Sequence, residues 1–181
     1  MKTLLDQLST YGAYHRDRRN IATHFVGIPL IVFASTTLLS RAHAGPVSLA
    51  LVVALASVVF YLRLDLRYGA VMAALYGLSL WGSAQLAAQS FGSWLSWGLG
   101  LFVLGWAIQF VGHLYEGRKP AFVDDLVGLL IGPLFVTAEA GFLLGMRDEV
   151  RAAIEERVGP TWMRPAGTPA RALFTAPPAT P

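Results

Sequence analysis

The sequence predicts an all-α fold, an integral membrane helical bundle of about five hydrophobic helices with an N-terminal interfacial helix. Of the 181 residues, 55% are hydrophobic and only 14% are charged, and the mean hydropathy is +0.53, which is outside the range usual for soluble domains. Five apolar segments, at about 22–40, 47–64, 69–89, 94–115 and 126–146, each approach the ~20 residues that cross a ~30 Å hydrocarbon core. Because lipid offers peptide groups no hydrogen-bond partners, each segment should be helical.

The N-terminal region precedes the first apolar segment. Residues 3–18 can form a helix at the membrane interface, with Leu4, Leu5 and Leu8 on one side. Asn20 is suited to the N-cap of the first span. A cleaved signal peptide is disfavoured, because the leader before the apolar core is too long.

The C-terminal third divides into a last span and a tail. The fifth segment carries Pro133 near its middle, so we expect it to be broken or re-entrant. Residues 1–150 are predicted to form one membrane-embedded domain. Residues 151–181 are predicted to be the end of a polar helix and then, from Gly159, a disordered tail rich in proline, alanine and threonine.

Basic residues favour one orientation in the membrane. Lysines and arginines near the span ends place the N-terminus and the 63–67 and 117–119 connections on the cytoplasmic side. Three of the four histidines then meet at that face: His15, His24 and His113. His43 falls on the opposite side.

Charge and cysteine content exclude several functions. The formal net charge of +3 comes from arginines that flank apolar segments, where orientation and lipid headgroups explain it better than nucleic acid does. We therefore expect membrane lipid and no nucleic acid among the partners, and the oligomeric state stays open. The chain has no cysteine, which excludes disulfides, thiolate metal sites and iron–sulfur clusters. Any metal must be held by nitrogen and oxygen.

The spacing of the histidines sets a condition on the fold. His15 and His24 are nine residues apart and would point in opposite directions on one continuous helix at ~100° per residue. They can share a ligand only if the chain breaks between them, and the charged RDRRN stretch supplies that break. Farther along, Gln109, His113 and Glu116 have the i, i+4, i+7 spacing of a single helix face.

Three imidazoles at one membrane face suit Fe(II) or Zn(II). Taken singly, a histidine at an interface is more often a hydrogen-bonded side chain than a ligand, and it is the convergence that favours a metal. A fourth ligand could come from Glu116 or from Glu139. Glu139 lies deep in a span, and it could equally pair with an arginine or cap the break near Pro133.

Two blocks of the sequence carry a resemblance to a known family. YGAYHRDRRNIATHFVGIP and QFVGHLYEGRKPAFVDDLVGLLIGPLFVTAE are similar to the 2-hydroxy fatty acid dioxygenase family of fatty-acid α-oxidation, formerly a membrane domain of unknown function and typified by a fungal enzyme of phytosphingosine breakdown. The resemblance covers about residues 5–146, and the family has many bacterial members. The matching residues are Tyr14, His15, Asn20, His24, Gly27 and Pro29, then Gln109, Gly112, His113, Glu116, Pro120, Ala121, Pro133 and Glu139.

The resemblance implies an Fe(II)-dependent dioxygenase that uses O₂ to convert a 2-hydroxy fatty acid into CO₂ and a fatty acid one carbon shorter. The 1–150 domain would be dioxygenase-like and would lie in a bacterial inner membrane, with its active site facing the cytoplasm. The implied metal ligands are His15, His24 and His113, and Glu116 joins them as a catalytic residue. Supporting or substrate-positioning roles are suggested for Tyr14, Arg16, Arg19, Asn20, Gln109 and Glu139, with Arg118 as a further candidate for the substrate carboxylate. For the three arginines, contact with lipid headgroups and orientation in the membrane are the favoured alternatives. His43 has no place in the pattern.

Two other functions remain open at this point. The first is a non-enzymatic membrane protein, a lipid-binding protein or scaffold, whose histidines only form hydrogen bonds at the interface. The second is a small membrane haem protein with His24 and His113 as axial ligands.

Overall fold

The computed structural model describes residues 2–163, and the all-α prediction is confirmed. The helices of this part of the chain are α1 (Leu4–Gly12), α2 (Arg18–Leu39), α3 (Leu49–Leu64), α4 (Leu66–Ala87), α5 (Phe91–Glu116), α6 (Gly128–Leu143) and α7 (Asp148–Val158). A 3₁₀ turn, Ala121–Val123, lies between α5 and α6. Two short antiparallel strands, β1 (His43–Ala44) and β2 (Val47–Ser48), form a hairpin between α2 and α3.

Helices occupy all five predicted apolar segments, but not all have the length of a span. By length and composition, α2, α4 and α5 can cross a membrane, with 22, 22 and 26 residues. Many of their apolar side chains are exposed, among them Leu78, Trp81 and Val103, as expected of surfaces that face lipid.

The second and fifth apolar segments are shorter than predicted. Helix α3 has only 16 residues, because Asp65 ends it and caps the start of α4 through hydrogen bonds from the amides of Arg67 and Tyr68. Helix α6 also has 16 residues. It is followed by Gly145 and Arg147, both with positive φ, and α7 leaves at an angle of 115°. The predicted break of the last span is therefore confirmed, although it lies after α6 and not at Pro133.

The described part of the chain forms two compact units, and the first comprises residues 2–26 together with residues 108–163. Within it, α1 packs against α6 and α7. Leu8 of α1 and Leu134 and Phe135 of α6 are completely buried. Helix α1 begins with a capping box between Thr3 and Asp6, which satisfies two amides at its N-terminus.

The second unit comprises Gly27–Ala107. Its closest helix pair is α3 and α4, which are joined at Asp65 without a longer loop. Polar contacts inside this unit include hydrogen bonds between small side chains, such as Thr36 Oγ1 with Ser79 Oγ at 2.7 Å and with Ser83 Oγ at 2.8 Å. Such hydrogen bonds are typical of contacts between membrane helices.

The C-terminal segment 159–162, which we call the strap, stays in contact with the start of α2. Trp162 N donates to Arg16 O and Arg18 N donates to Trp162 O, both at 2.9 Å. Arg16 Nη1 donates to Gly159 O at 3.0 Å. The first residues of the predicted tail are thus held by hydrogen bonds, and the rest of that prediction concerns residues 164–181, outside the described residues.

We predict that Gly69→Ala lowers the free energy of unfolding by ~1–3 kcal/mol, the usual cost of overpacking. A Cβ at Gly69 would lie 2.7 Å from Leu62 Cα, so α3 and α4 would have to separate. Denaturant unfolding in detergent, followed by tryptophan fluorescence, measures the change. The control is Gly77→Ala in the same helix, because a Cβ there meets nothing within 4 Å. Equal stability of the two variants would contradict the prediction.

Candidate metal centre

Three buried histidines come together in the first unit. His15 lies in the turn between α1 and α2, His24 lies in α2, and His113 lies near the end of α5. Their exposed fractions are 0%, 1% and 2%. One ligand nitrogen from each ring lies within 4.8 Å of the others. The structure therefore brings together all three residues that the sequence suggested as metal ligands.

The predicted break in the chain makes this convergence possible. Helix α1 ends at Gly12 and α2 begins at Arg18, so His15 belongs to neither helix. The prediction that Asn20 caps α2 is wrong, because Asn20 lies inside the first turn. Asp17 takes that position instead, and its Oδ1 accepts a hydrogen bond from Arg19 N at 2.9 Å.

Hydrogen bonds to the backbone fix the tautomers of two of the rings. His15 Nδ1 lies 2.8 Å from Tyr11 O, and His24 Nδ1 lies 2.8 Å from Asn20 O. A carbonyl oxygen only accepts, so each Nδ1 carries the proton and each neutral ring has a lone pair at Nε2. These two Nε2 atoms lie 3.0 Å apart. They cannot form a hydrogen bond with each other unless one of them gains a proton, and a metal ion between them satisfies both.

His113 contributes the third nitrogen. Its Nδ1 is buried and makes no hydrogen bond, although the backbone of Arg118 is a hydrogen-bond partner of the ring. A buried polar atom without a partner costs free energy. The His113 ring centroid lies 5.1 Å from that of His15 and 5.2 Å from that of His24, so the His113 ring borders the same small space.

The surroundings of His15 keep its ring neutral. Burial lowers the pKa of His15 well below its usual value, and the nearby His24 and His113 lower it further. The ring stacks on Tyr11 at a centroid distance of 4.1 Å and lies 5.6 Å from the Phe135 ring. An apolar wall therefore shields the centre on that side, and the histidine keeps the neutral form that binds metal.

The donor set fits a divalent metal ion. With metal–nitrogen bonds of about 2.1 Å, neighbouring ligand nitrogens lie ~3.0 Å apart in an octahedral site and ~3.4 Å apart in a tetrahedral one. The observed separation of 3.0 Å between His15 Nε2 and His24 Nε2 is consistent with such a site. Neutral imidazole nitrogens are common ligands of iron, zinc and copper. The buried group could thus hold a metal ion.

Glu116 lies one turn after His113 and contacts the turn that carries His15. Its carboxylate accepts hydrogen bonds from Arg16 N at 3.1 Å, Asp17 N at 2.8 Å and Asn20 Nδ2 at 3.1 Å. Gln109, His113 and Glu116 are all buried. This is consistent with the prediction that they lie on one face of a single helix. The sequence suggested Glu116 as a fourth ligand, whereas the contacts of its oxygens are to the chain around His15.

The other suggested residues surround this group at different distances. Tyr14 Oη donates to Asp124 Oδ2 at 2.6 Å, and burial together with Asp124 raises the pKa of Tyr14 to about 12. Gln109 Oε1 is buried without a hydrogen-bond partner. Glu139 forms an ion pair with Arg16 Nη2 at 3.9 Å. Pairing with an arginine was one of the roles suggested for Glu139 from the sequence. His43 is exposed in β1 and is not part of the histidine group.

The three arginines have different partners. Arg19 forms an ion pair with Asp17 at 2.8 Å and lies over the Tyr115 ring, with Cζ 4.6 Å from its centroid. Arg118 Nη1 donates to Ala13 O at 2.6 Å. Arg16 Nη2, by contrast, is buried without a hydrogen-bond partner.

Sequence reasoning missed the structural role of Gly112. A Cβ at this position would overlap Thr23 Oγ1 and Asn20 Oδ1, so only glycine allows α5 to pack this closely against α2. The signal was its position directly before His113. The role of Asp17 as the cap of α2 was also missed, although an aspartate just before an apolar helix is a usual signal.

The fold and the site together define a class, a helical protein with membrane-length helices and a buried three-histidine centre. Comparison with known proteins identifies the family. Residues 1–143 match the Mpo1-like family, described as 2-hydroxy-palmitic acid dioxygenase Mpo1-like, and the chain belongs to it. The chain is 33% identical over 155 residues to the 2-hydroxy-palmitic acid dioxygenase MPO1 of Saccharomyces cerevisiae, an alignment that covers 84% of this chain and 87% of the yeast protein. No solved structure matches the chain.

We predict that Glu116→Gln weakens metal binding by ~10–100-fold, the usual effect of losing a group that orients a metal ligand. The amide of glutamine would point a donor at the amides of Arg16 and Asp17, and the turn carrying His15 would shift. Titration of metal-free protein with Fe(II) or Zn(II) in detergent measures the affinity. Glu149→Gln is the matched control, because Glu149 is exposed. An equal affinity in both variants would disprove the role of Glu116.

We predict that Gly112→Ala separates α5 from α2 and lowers both metal content and the free energy of unfolding, the latter by ~1–3 kcal/mol. Metal analysis of the purified protein and denaturant unfolding measure the two effects. Gly100→Ala in the same helix is the control, because a Cβ there meets nothing within 4 Å. Normal metal content in Gly112→Ala would show that the close approach is not needed.

Proposed function

We propose that this protein is an Fe(II)-dependent dioxygenase that converts a 2-hydroxy fatty acid and O₂ into CO₂, water and the fatty acid one carbon shorter. The observation that carries the proposal is the convergence of three buried imidazoles in a chain of the Mpo1-like family. The activity of the yeast relative, a 2-hydroxy-palmitic acid dioxygenase, supports the substrate class.

The reaction balances without an external reductant. R–CHOH–COOH and O₂ give R–COOH, CO₂ and H₂O. The bond between the hydroxyl-bearing carbon and the carboxyl carbon breaks, and the substrate supplies the four electrons that reduce one O₂. No separate electron-donor cofactor is required by this stoichiometry.

Iron is the metal that fits both the ligands and the chemistry. His15, His24 and His113 would hold it through neutral nitrogens, and its full positive charge would favour the hydroxyl and carboxylate oxygens of the substrate. Bound there, Fe(II) supplies a redox-active Lewis acid with positions left for substrate and O₂. Zn(II) suits the same ligands but has no redox chemistry.

The protein's own groups prepare this site before substrate arrives. The carbonyls of Tyr11 and Asn20 select the tautomers of His15 and His24, and Glu116 holds the amides beside His15. The burial of all three rings excludes bulk water, which strengthens interactions with a charged substrate. Glu116 acts in this proposal as a positioning residue.

Among the arginines suggested for the substrate carboxylate, the contacts favour Arg16. Arg19 is engaged by Asp17 and Tyr115, and Arg118 by Ala13 O. Arg16 follows His15 directly and keeps one buried nitrogen, Nη2, without a hydrogen bond. A carboxylate oxygen is the partner that a guanidinium group binds best.

The proposed reaction takes place at a membrane surface. The substrate is an amphiphile, and we propose a multi-pass protein of a bacterial inner membrane with the histidines at the cytoplasmic face, the orientation that the distribution of basic residues favours. The reactive carboxyl end of the substrate then stays at the interface while its chain remains in an apolar environment.

The contacts between the rings argue against the haem alternative. His15 Nε2 lies 3.0 Å from His24 Nε2, in the space that a porphyrin bound to His24 would have to occupy. The non-enzymatic alternative gives no reason for two facing lone pairs and a third unpaired ring nitrogen in a buried group.

We predict that purified, Fe(II)-loaded protein in detergent converts a 2-hydroxy long-chain fatty acid into the acid one carbon shorter. Mass spectrometry of the products after addition of O₂ detects the reaction. His113→Ala should lose the bound iron and at least ~10²-fold of the activity, because a ligand is removed. His43→Ala should behave as the parent protein does.

Three results would count against this proposal. Iron-loaded protein that forms no shortened acid from any 2-hydroxy acid tested would refute the reaction. Full iron content and activity in His113→Ala would refute the site. A Soret band in the purified protein would favour the haem alternative.

A further inference from the structure

A cavity of about 440 Å³ lies beside the start of α2, and none of the three histidines lines it. Its volume is near the lower end of the ~300–1,000 Å³ range of ligand pockets, which suits a ligand with a single chain. Apolar side chains from three helices form much of its wall: Ile21, Ala22 and Phe25 of α2, Phe142 and Leu143 of α6, and Ile154 of α7.

Charged groups line the same cavity, with positive charge in excess. Three guanidinium groups, those of Arg16, Arg18 and Arg151, face two carboxylates, those of Glu139 and Glu155. Arg151 is paired with Glu155 at 3.1 Å. Arg16 is paired with Glu139 at 3.9 Å, which leaves the charge of Arg18 in excess. This excess positive charge favours an anionic ligand over a neutral or cationic one.

Arg16 provides the polar contact point. It is only 5% exposed, and its Nε donates to Gly12 O and His15 O. Its Nη2 has no hydrogen-bond partner, because the nearest carboxylate oxygen, Glu139 Oε1, is 3.9 Å away. A buried guanidinium nitrogen that has an ion-pair partner at 3.9 Å but no hydrogen bond is costly, and an anionic oxygen within hydrogen-bond distance would satisfy it.

We propose that this cavity binds the chain of a free long-chain fatty acid, with the carboxyl end at Arg16. The proposal rests on the function proposed above and assigns a place to the acyl chain of that substrate. A single-chain anionic amphiphile matches the apolar walls, the excess positive charge and the buried Arg16 Nη2, which has no hydrogen-bond partner. Two residues that line the cavity are sequence neighbours of the histidines: Arg16 directly follows His15, and Phe25 directly follows His24.

The C-terminal region forms part of this binding site. Arg151, Ile154 and Glu155 of α7 and Thr161 of the strap line the cavity, and all four lie beyond residue 143, where the family match ends. Selectivity for chain length is therefore set in part by residues outside the matched region.

A photoreactive probe tests this assignment independently of turnover. The probe is a long-chain fatty acid with a terminal diazirine and without the 2-hydroxyl group, added to the full chain in detergent with metal chelated. We expect labelled peptides that contain residues 21–25 and 142–154. An unlabelled long-chain fatty acid should compete, and phosphatidylglycerol, an anionic lipid with two chains, should compete at least tenfold less well.

Two pairs of variants locate the binding site. Ala22→Phe fills the cavity and should weaken probe binding at least tenfold, whereas Val26→Phe, one turn along the same exposed side of α2 and outside the cavity lining, should leave it unchanged. Leu143→Trp and Leu144→Trp form a second pair at neighbouring, similarly exposed positions, of which only Leu143 lines the cavity.

Any of three results would overturn the proposal. The probe could label peptides outside the cavity, the two variants of each pair could weaken probe binding equally, or phosphatidylglycerol could compete as well as the unlabelled fatty acid. The product assay separates this outcome from failure of the proposed function. Turnover of a 2-hydroxy acid without labelling of the cavity refutes the assignment of the cavity alone. Specific labelling of the cavity without turnover supports the binding site and refutes the dioxygenase reaction.

Discussion

In the first unit, His15 Nε2 and His24 Nε2 each carry a lone pair and face each other at a distance of 3.0 Å. The surrounding backbone and side chains hold the two rings in this position. Carbonyl oxygens at Tyr11 and Asn20 hold the proton of each ring on the opposite nitrogen. In a buried site such an arrangement is unfavourable without a cation, because two lone pairs repel and neither is solvated. A divalent metal ion bound between the two nitrogens would relieve this repulsion.

Holding three rings together requires that one turn and two helices keep fixed positions. Glu116 provides this through hydrogen bonds to two backbone amides and to Asn20. Burial of a carboxylate is costly unless donors compensate it, and these donors all belong to the segment that carries His15. Gly112 contributes by its missing side chain, since it lets α5 approach Asn20 and Thr23. The carboxylate fixes the positions of the histidines through hydrogen bonds, and the glycine does so through close packing.

The apolar helices explain why this polar centre lies where it does. Helices α2 and α5 have the length and hydropathy of membrane spans. His24 lies toward the start of α2 and His113 near the end of α5. A fatty acid has the same division between a polar end and an apolar chain. The proposed reaction at the histidines and the proposed binding of the chain in the neighbouring cavity therefore place each part of the substrate in a suitable environment.

The sequence by itself determined the all-α fold and the five apolar helices, because hydropathy and helical periodicity are local properties. It singled out the three histidines through the distribution of basic residues and the family resemblance. It predicted a break in the last segment but placed it at Pro133, whereas the bend follows α6. Only the tertiary structure decided which ring nitrogens face each other and how Glu116 is used, because its partner amides are about 100 residues away. The shortness of α3 and the contacts of the strap also depended on partners in space. Hydrogen bonds between distant segments leave no periodic signal in a single sequence, and these bonds turn a set of histidines into a defined site.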